Sequence, residues 1–284
     1  MADTRKSVLI TGCTPGSIGH ALVLEFHQRG LRVFATARRL EVLDDLRAKG
    51  IDTLALDVAN DESVRAAAAR VRELTGGKLD ILVNNAGRTY TNPVLDADVS
   101  EVEALFAANL FGAMRMVKEF GTMVIAAKGK IVNNGSIAGT IPMPFRSAYG
   151  ASKAALFSWG DSLRVEMAPF GVQVVNLATG PVLTTMVVND HVGSGPPGSL
   201  YASVFPTVDK VTSDGGKRAM PASQWAKATV SAVLKTNSPR WFWKGTGASI
   251  VWFLSTFIPR GLMQTISSSM WGLNKLAQEL KKKA

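Results

Sequence analysis

Short apolar runs of strand length alternate with segments of helical periodicity along most of this chain. Continuous Val/Ile/Leu runs of this kind are typical of parallel strands that helices cover on both faces. The predicted strands are SVLIT at 7–11, LRVFATA at 31–37, DTLALDV at 52–58, DILVNNA at 80–86, KIVNNGS at 130–136 and VQVVNLA at 172–178. The predicted helices cover residues 18–29, 41–49, 61–75, 100–127 and 148–169. This pattern predicts an α/β fold with a doubly wound parallel sheet.

No repeat or low-complexity linker divides the chain, so residues 1–284 are predicted to form a single domain. The most loop-like part is the Gly/Pro-rich stretch 192–205, which follows the last predicted strand. Ligands of open α/β sheets bind at the carboxyl ends of the strands. We therefore expect residues 186–220 to form a substrate lid.

Composition excludes some classes of protein. The single cysteine, Cys13, cannot form an internal disulfide and agrees with a reducing compartment. The N-terminal residues show no secretory signal, which favours a cytoplasmic location. The net charge is +10, and seven of the Lys and Arg residues against one acid lie from Ser238 onward. This basic end lacks a recognition-helix or zinc pattern, so nucleic acid is not the expected partner.

A glycine-rich turn follows the first predicted strand. In TGCTPGSIGH, three glycines, Gly12, Gly16 and Gly19, stand at the start of a helix. Glycines there allow a pyrophosphate to approach the backbone, and the helix N-terminus offers free N–H groups. A plain tight turn is the alternative interpretation.

The end of the second strand indicates which dinucleotide is bound. A protein that prefers NAD carries an acid there for the ribose 2′-hydroxyl, but this chain has Arg38 and Arg39. A guanidinium can bind a 2′-phosphate in a bidentate manner. The pair therefore predicts NADPH, with two solvated arginines as the alternative.

Tyr149 is the only tyrosine with a lysine four residues later, Lys153, and a serine thirteen residues earlier, Ser136. Positions i and i+4 share one face of a helix, so the ammonium can approach the phenol. At about 4 Å and an effective dielectric near 20, that attraction is about 4 kcal/mol, or roughly three pK units. One lysine can therefore make a phenol acidic enough for proton transfer near neutral pH. A surface tyrosine beside a solvated lysine is the alternative.

With the glycine turn, the NNAG at 84–87, Asn109, Ser136 and the Tyr149/Lys153 pair in this order, residues 7–185 resemble the short-chain dehydrogenase/reductase family. The resemblance implies a Rossmann-like fold with about seven strands and nicotinamide-dependent hydride transfer. The catalytic residues that it implies are Asn109, Ser136, Tyr149 and Lys153. The cofactor-binding residues that it implies are Gly12, Gly16, Ser17, Ile18, Gly19, Arg38, Arg39, Asp57, Val58, Asn85, Ala86, Gly87, Tyr149, Lys153, Pro181, Val182 and Thr184.

The implied mechanism needs no metal, and the sequence offers no metal site, since His20 and His27 lack a third ligand. Ser136 and Tyr149 would hold a substrate carbonyl, and Tyr149 would protonate the alkoxide. Lys153 would acidify Tyr149 and hold the nicotinamide ribose. Asn109 would hold a water that returns the proton through Lys153.

Two features depart from the family pattern. Gly19 lies seven rather than six positions after Gly12, which leaves open whether Gly16 or Ser17 lines the phosphate. The usual Pro-Gly after the sixth strand is here Gly180-Pro181. Thr184 is expected beside the nicotinamide if the register is kept.

The C-terminal extension, residues 240–284, is apolar and basic, and it holds four of the six tryptophans. Its apolar run at 247–258 is too short to span a bilayer, which needs about 20 residues. It could close the substrate pocket, lie in a membrane interface or pack on the sheet. The lysines at 281–283 match a dilysine retrieval pattern, with a solvated charge run as the alternative.

This extension, together with TGCxxGxIG and FATARR, resembles the fungal branch related to NADPH-dependent 1-acyldihydroxyacetone-phosphate reductases. That branch contains enzymes of lipid droplets and endoplasmic reticulum, and also reductases and dehydrogenases of polyketide and terpenoid pathways. It implies an NADP(H)-dependent oxidoreductase for a hydrophobic ketone or secondary alcohol, with a lipid-like ketone preferred. It also implies a homodimer or homotetramer and peripheral contact with endoplasmic reticulum or lipid droplets. The alternatives are a non-catalytic NADPH-sensing interaction protein and a peripheral membrane protein whose tail is the working part.

Overall fold

The computed structural model describes residues 4–185 and 195–283. Its centre is a seven-stranded sheet in the order β3-β2-β1-β4-β5-β6-β9, and every neighbouring pair is parallel. The sheet strands are β1 Ser7–Ile10, β2 Arg32–Ala37, β3 Asp52–Ala55, β4 Ile81–Asn84, β5 Lys130–Asn134, β6 Gln173–Thr179 and β9 Trp241–Lys244. A separate parallel pair joins β7 Val182–Leu183 to β8 Met220–Pro221. The predicted α/β fold with a doubly wound parallel sheet is confirmed.

Helices cover both faces of the sheet. They are α1 Ile18–Gln28, α2 Asp44–Arg47, α3 Asp61–Thr75, α4 Val99–Phe106, α5 Gly112–Ala126, α6 Ser147–Met167, α7 Phe205–Lys217, α8 Ala222–Val233, α9 Ala248–Phe257, α10 Arg260–Met270 and α11 Leu273–Lys283. One core joins α1, α2 and α8 to the sheet, and a second core joins α3, α5 and α6 to the other face. Because both faces are covered, the central strands β1 and β4 are buried at every position and do not alternate between apolar and polar residues.

Three asparagines cross the buried sheet at one register, Asn84 on β4, Asn133 on β5 and Asn176 on β6. The Asn84 amide donates to Oδ1 of Asn133 at 2.9 Å, and the Asn133 amide donates to Oδ1 of Asn176 at 3.3 Å. Buried amides need partners, so this ladder penalises any slip of one strand against the next.

The structure differs from the predicted elements in two places. The single helix expected over 100–127 is interrupted by a π-helical segment at Ala107–Phe111, which separates α4 from α5. The first residues of the predicted extension, 241–244, form β9, which is an edge strand of the sheet. The part of the extension that lies outside the sheet therefore begins after Lys244. The aromatic and basic composition of this strand, WFWK, concealed it within the tail.

Part of the predicted lid, residues 186–194, lies outside the described residues. From Gly195 onward the chain forms a 3₁₀ turn at Ala202–Val204, then α7 and β8. A small apolar cluster joins this region to the extension. Its buried members are Phe145, Val204, Val208 and Trp271. No helix within the described ranges combines the length and the apolar character needed to cross a bilayer.

Candidate active site

The glycine turn after β1 has the backbone that its sequence requires. Gly12 and Gly16 have φ values of 73° and 76°, in the left-handed region. A Cβ on Gly19 would lie 2.3 Å from the carbonyl oxygen of Gly12, so only glycine fits there. Ser17 caps α1, since its hydroxyl accepts from the N–H of His20 at 3.1 Å. The extra residue of this turn therefore serves as the helix cap, and Gly16 makes the bend.

The first turn of α1 is open to a ligand. Among the described residues, none accepts a hydrogen bond from the backbone N–H of Ile18 or Gly19. Thr185 lies close by, because its N–H donates to the carbonyl of Gly16 at 3.3 Å. A helix N-terminus with unpaired N–H groups binds phosphate. Thr185 was not among the predicted site residues, and no motif position pointed to it.

Asn85 holds the glycine turn from the next strand. Its side-chain amide donates to the carbonyls of Thr11 and Gly12 at 2.8 and 3.1 Å. The Thr11 hydroxyl accepts from the backbone N–H groups of Asn85 and Ala86, both at 2.9 Å. Asn134 donates in turn to Oδ1 of Asn85 at 2.8 Å. The hydrogen bonds of the Asn85 side chain are thus used to hold the turn. Thr11 in turn stabilises the NNAG segment. Sequence reasoning missed Thr11, although it directly precedes Gly12.

Two arginines follow β2 on the surface. Both Arg38 and Arg39 are exposed, and Nε of Arg39 lies 3.7 Å from Oε1 of Glu41. Arg38 makes no ion pair with any residue that the structure describes. Its guanidinium is therefore available to an anion at the end of the second strand.

The remaining adenine-side residues, Asp57 and Val58, follow β3. The Asp57 carboxylate accepts from the N–H of Ala59 at 2.9 Å and so closes the turn before α3. Val58 is buried, and a Cβ on Gly112 at the start of α5 would lie 2.8 Å from one of its methyl groups. Both side chains shape the backbone at this edge of the sheet.

Tyr149 and Lys153 lie together on α6. The Lys153 ammonium is 5.9 Å from the centre of the Tyr149 ring, and it donates to the carbonyl of Asn134 at 2.9 Å. Only 6% of Lys153 is exposed. This burial lowers the pKa of its ammonium from 10.5 to about 8, because charge is disfavoured away from water. The cation predicted to polarise the phenol is therefore buried close to it.

Asn109 lies on the π-helical segment and is almost fully buried. Its Oδ1 accepts from the N–H of Arg88 at 2.8 Å, and its amide donates to the carbonyl of Arg88 and the hydroxyl of Ser152, both at 3.0 Å. The Ser152 hydroxyl donates to the carbonyl of Tyr149 at 2.8 Å. A Cβ on Gly87 would lie 2.9 Å from Oδ1 of Asn109. Asn109 thus connects the loop after β4 to the helix that carries Tyr149.

Ser136 follows β5 at the start of a short 3₁₀ turn, Ile137–Gly139. Its hydroxyl accepts from the N–H of Ala138 at 3.2 Å. The turn packs on α6 so tightly that a Cβ on Gly139 would lie 2.8 Å from the carbonyl carbon of Lys153. This contact fixes the Ser136 segment against the helix of Tyr149 and Lys153.

A cavity of about 10 Å³ lies between these elements. Its lining includes Ala86, Asn109, Asn134 and Lys153. The volume is close to that of one buried water. Asn84 also lines it, and within the described part of the chain Oδ1 of Asn84 is buried without a hydrogen-bond partner.

The chain after β6 returns to the glycine turn. The carbonyl of Pro181 accepts from the N–H groups of Met220 and Thr246 at 3.1 and 3.3 Å. Val182 and Thr184 are buried, and Thr185 contacts Gly16. The arrangement thus brings one phenol, one buried ammonium and a phosphate-type turn to the carboxyl edge of the sheet.

A model of a family described as short chain dehydrogenase matches residues 6–192. The chain is 43% identical to the short-chain dehydrogenase srdE of Neurospora crassa over 97% of this chain and 95% of that protein. It is 44% identical to the NADPH-dependent 1-acyldihydroxyacetone phosphate reductase of Schizosaccharomyces pombe, over 72% of this chain and 67% of that one. A solved short-chain dehydrogenase of Burkholderia cenocepacia in complex with NADP has a TM-score of 0.71 at 26% identity, covering 94% of this chain and 99% of that one.

Proposed function

Because this chain belongs to the short-chain dehydrogenase family, we propose that it is an NADP(H)-dependent oxidoreductase that interconverts a hydrophobic ketone and a secondary alcohol. The observation that carries the proposal is the buried Lys153 ammonium on the same helix as Tyr149 and 5.9 Å from its ring. A lysine that is kept in such a place, at a cost in desolvation, has a chemical use there.

The residues of the glycine turn fit the cofactor. Gly16 and the free N–H groups of Ile18 and Gly19 would cradle the pyrophosphate, and the turn packs so closely that a Cβ on Gly19 would collide with the Gly12 carbonyl. Arg38 would bind the 2′-phosphate. When bound, the nicotinamide supplies or accepts the hydride. The relative named as NADPH-dependent and the neighbour in complex with NADP support the choice of NADP(H).

The chain's own residues would handle the carbonyl and its proton. Ser136 and Tyr149 would donate hydrogen bonds to the carbonyl oxygen, and Tyr149 would transfer its proton to that oxygen as negative charge develops. Protonated Lys153 would stabilise the tyrosinate. Asn109 and the small cavity beside Lys153 would hold the water that returns a proton to the site.

The substrate would be a hydrophobic, lipid-like ketone. Two observations support this choice: the S. pombe relative is named as a reductase of an acylated ketone phosphate, and the segments around the predicted lid contribute Tyr201, Val204 and Phe145 to an apolar cluster. The sensor alternative has less support, since a protein that only binds NADPH has no need of all four residues Asn109, Ser136, Tyr149 and Lys153.

The deciding experiment compares Tyr149→Phe with the parent protein in NADPH consumption on a panel of hydrophobic ketones. Removing the proton donor should lower kcat by about 10²–10⁴-fold and change the Kd for NADPH by less than about twofold. Tyr90→Phe is the matched control, because the Tyr90 hydroxyl accepts only from Asp98 N–H and the Asn92 amide within the described chain. Normal turnover by Tyr149→Phe would overturn the proposed function.

Contact with a membrane surface is a further part of the proposal. Six apolar residues of α9 and α10 are between 50% and 66% exposed and form what is here called the tail stripe. They are Ile250, Phe253, Phe257, Leu262, Ile266 and Met270. On α9 and α10 they recur at spacings of three, four or seven residues, which puts them on shared helix faces. An exposed apolar stripe on a basic segment suits an anionic lipid surface such as endoplasmic reticulum or a lipid droplet.

Assembly into a homodimer or homotetramer completes the proposal. Near the ends of α5 and α6, Phe111 and Phe170 are exposed by 46% and 51%, and Val165 of α6 is exposed by 74%. Exposed apolar side chains on long helices favour helix pairing between subunits. Sedimentation velocity on the parent protein would detect a monomer, which contradicts this part.

A further inference from the structure

The loop that joins Ser136 to Tyr149 has an unusual backbone. Phe145, four residues before Tyr149, has a φ of 65°, although it is neither glycine nor asparagine. For a bulky side chain this is a strained conformation, which persists only where surrounding contacts impose it. Its carbonyl accepts from the N–H of Asn92 at 2.7 Å, and its side chain is buried.

The contacts that hold this loop come from the C-terminal extension and the lid region. The Phe145 ring lies between Tyr201, at 5.8 Å and nearly perpendicular, and Trp271, at 6.0 Å. The Ser267 hydroxyl, on α10, donates to the carbonyl of Pro142 at 2.6 Å. Both ends of the loop segment 142–145 are thus held by residues more than a hundred positions later in the chain.

The same part of the extension also holds the lid helix. Trp271 is 1% exposed and shares its cluster with Val204 and Val208, which lie on the 3₁₀ turn and on α7. Gly272, at φ 78°, brings the chain so close that its Cβ position is 3.2 Å from a methyl group of Thr207. One short segment, 267–272, therefore touches the lid helix and the loop before Tyr149 together.

From these contacts we propose that Ser267 and Trp271 are positioning residues: they keep the 142–145 loop strained so that Ser136 and Tyr149 face one substrate oxygen. This inference rests on the proposed function for its kinetic consequence. Without the Trp271 side chain, Phe145 relaxes to a negative φ, the start of α6 shifts, and the Tyr149 hydroxyl moves away from the carbonyl oxygen that it would protonate. A displacement of about 1 Å at a reacting group can lower a rate by roughly a hundredfold.

The indole itself offers a way to separate packing from hydrogen bonding. Nε1 of Trp271 is buried and has no hydrogen-bond partner among the described residues. Phenylalanine keeps most of the aromatic packing and adds no unpaired donor. Trp271→Phe is thus the conservative variant that should retain function.

The kinetic experiment measures kcat, KM for a hydrophobic ketone and the Kd for NADPH well below the unfolding temperature. Trp271→Ala should lower kcat at least about tenfold, while the Kd for NADPH stays within about twofold. Trp271→Phe should stay within about threefold of the parent kcat. Leu280→Ala, which truncates an exposed apolar side chain on α11, is the matched control. A folded Trp271→Ala with the parent kcat, or Trp271→Phe as impaired as Trp271→Ala, overturns the inference.

A second measurement does not depend on turnover. The backbone amides of Met143 and of residues 145–149 should exchange with solvent faster in unliganded Ser267→Ala than in Ser269→Ala, whose serine is exposed. Equal exchange in the two variants overturns the inference even if Trp271→Ala does not fold. If the parent protein reduces no ketone, the proposed function fails, while the exchange comparison still decides whether the extension holds the loop.

Discussion

At the residue scale, Lys153 is the group whose environment departs most from that of an ordinary residue of its type. It is buried near Asn109, Asn134 and Gly87, and within the described part of the chain it donates one hydrogen bond, to the Asn134 carbonyl. Burial lowers its pKa to about 8, so near pH 7 most molecules still carry the charge that Tyr149 needs. Burying this charge lowers the stability of the folded protein, and the same buried charge would make the Tyr149 phenol more acidic.

This environment predicts a specific dependence of stability on pH. The folded pKa of Lys153, about 8, lies below the unfolded value of 10.5, so between these pH values the unfolded chain binds more protons and the folded state gains stability as pH rises. The free energy of unfolding of the parent minus that of Lys153→Met should therefore increase by about 2 kcal/mol from pH 7 to pH 10. Urea denaturation at both pH values measures it.

A matched variant isolates the effect of burial. Lys78→Met removes an exposed ammonium at the end of α3, and its difference from the parent should stay constant over the same range. A flat difference for Lys153→Met would mean that the ammonium is solvated in the folded state.

At the element scale, each strand ends where a functional segment begins. β1 leads into the glycine turn, β2 into the arginines, β4 into NNAG, β5 into Ser136 and β6 into the segment that returns to Gly16. Parallel strands place their carboxyl ends on one edge, so residues far apart in sequence meet there.

The carboxyl end of β2 predicts the cofactor preference. Arg38→Asp removes a cation from the expected 2′-phosphate position and introduces a carboxylate that suits a ribose hydroxyl. A charge-assisted hydrogen bond contributes about 1.5–3 kcal/mol, so the ratio of kcat/KM for NADPH over NADH should fall roughly tenfold to a hundredfold. Arg70→Asp, which breaks an exposed pair with Glu73 on α3, should leave the ratio unchanged. A parent protein that uses both cofactors equally contradicts the expectation.

The sequence predicted the elements of the sheet far better than those of the C-terminal third. Five of the six predicted strands, all but the edge strand β3, are largely apolar runs buried along most of their length, and such runs can be recognised without tertiary information. β9 was missed because an edge strand with half-buried Trp and Lys side chains lacks that signature. α7 carries Gly215 and Gly216 near its end, and its apolar face packs against Trp271 and α11, which lie far away in sequence. The proposed catalytic residues are recognisable from their spacing, whereas Thr11, Thr185 and Ser267 act through contacts that no local pattern records.

At the scale of the whole molecule, the extension has two unlike sides. Its inner side, around Trp271, packs on the lid helix and the loop before Tyr149, while its outer side carries the tail stripe. Two of the arrangements that the sequence left open, closing the pocket and facing a lipid surface, are therefore compatible in one segment.

The outer side predicts lipid binding. The parent protein should sediment with vesicles that contain phosphatidylserine and less with neutral phosphatidylcholine vesicles. Replacing Phe253 and Phe257 together by Ser should lower this partitioning at least about tenfold, since a buried phenyl ring contributes about 1.5 kcal/mol or more. Val99→Ser, at an exposed position on α4, is the matched control. A parent protein that stays in the supernatant at low salt contradicts the membrane proposal.

The geometry of the site depends on the number of residues in the π-helical turn at 107–111 as well as on which residues they are. Loss of a single amino acid from this turn would give an uninterrupted α-helix with more regular backbone hydrogen bonds. Each residue of an α-helix rotates the chain by about 100°, so Asn109 would then point away from Arg88 and Ser152. A one-residue deletion would thus make the local helix more regular and still break the connection between the helix of Tyr149 and the rest of the proposed site.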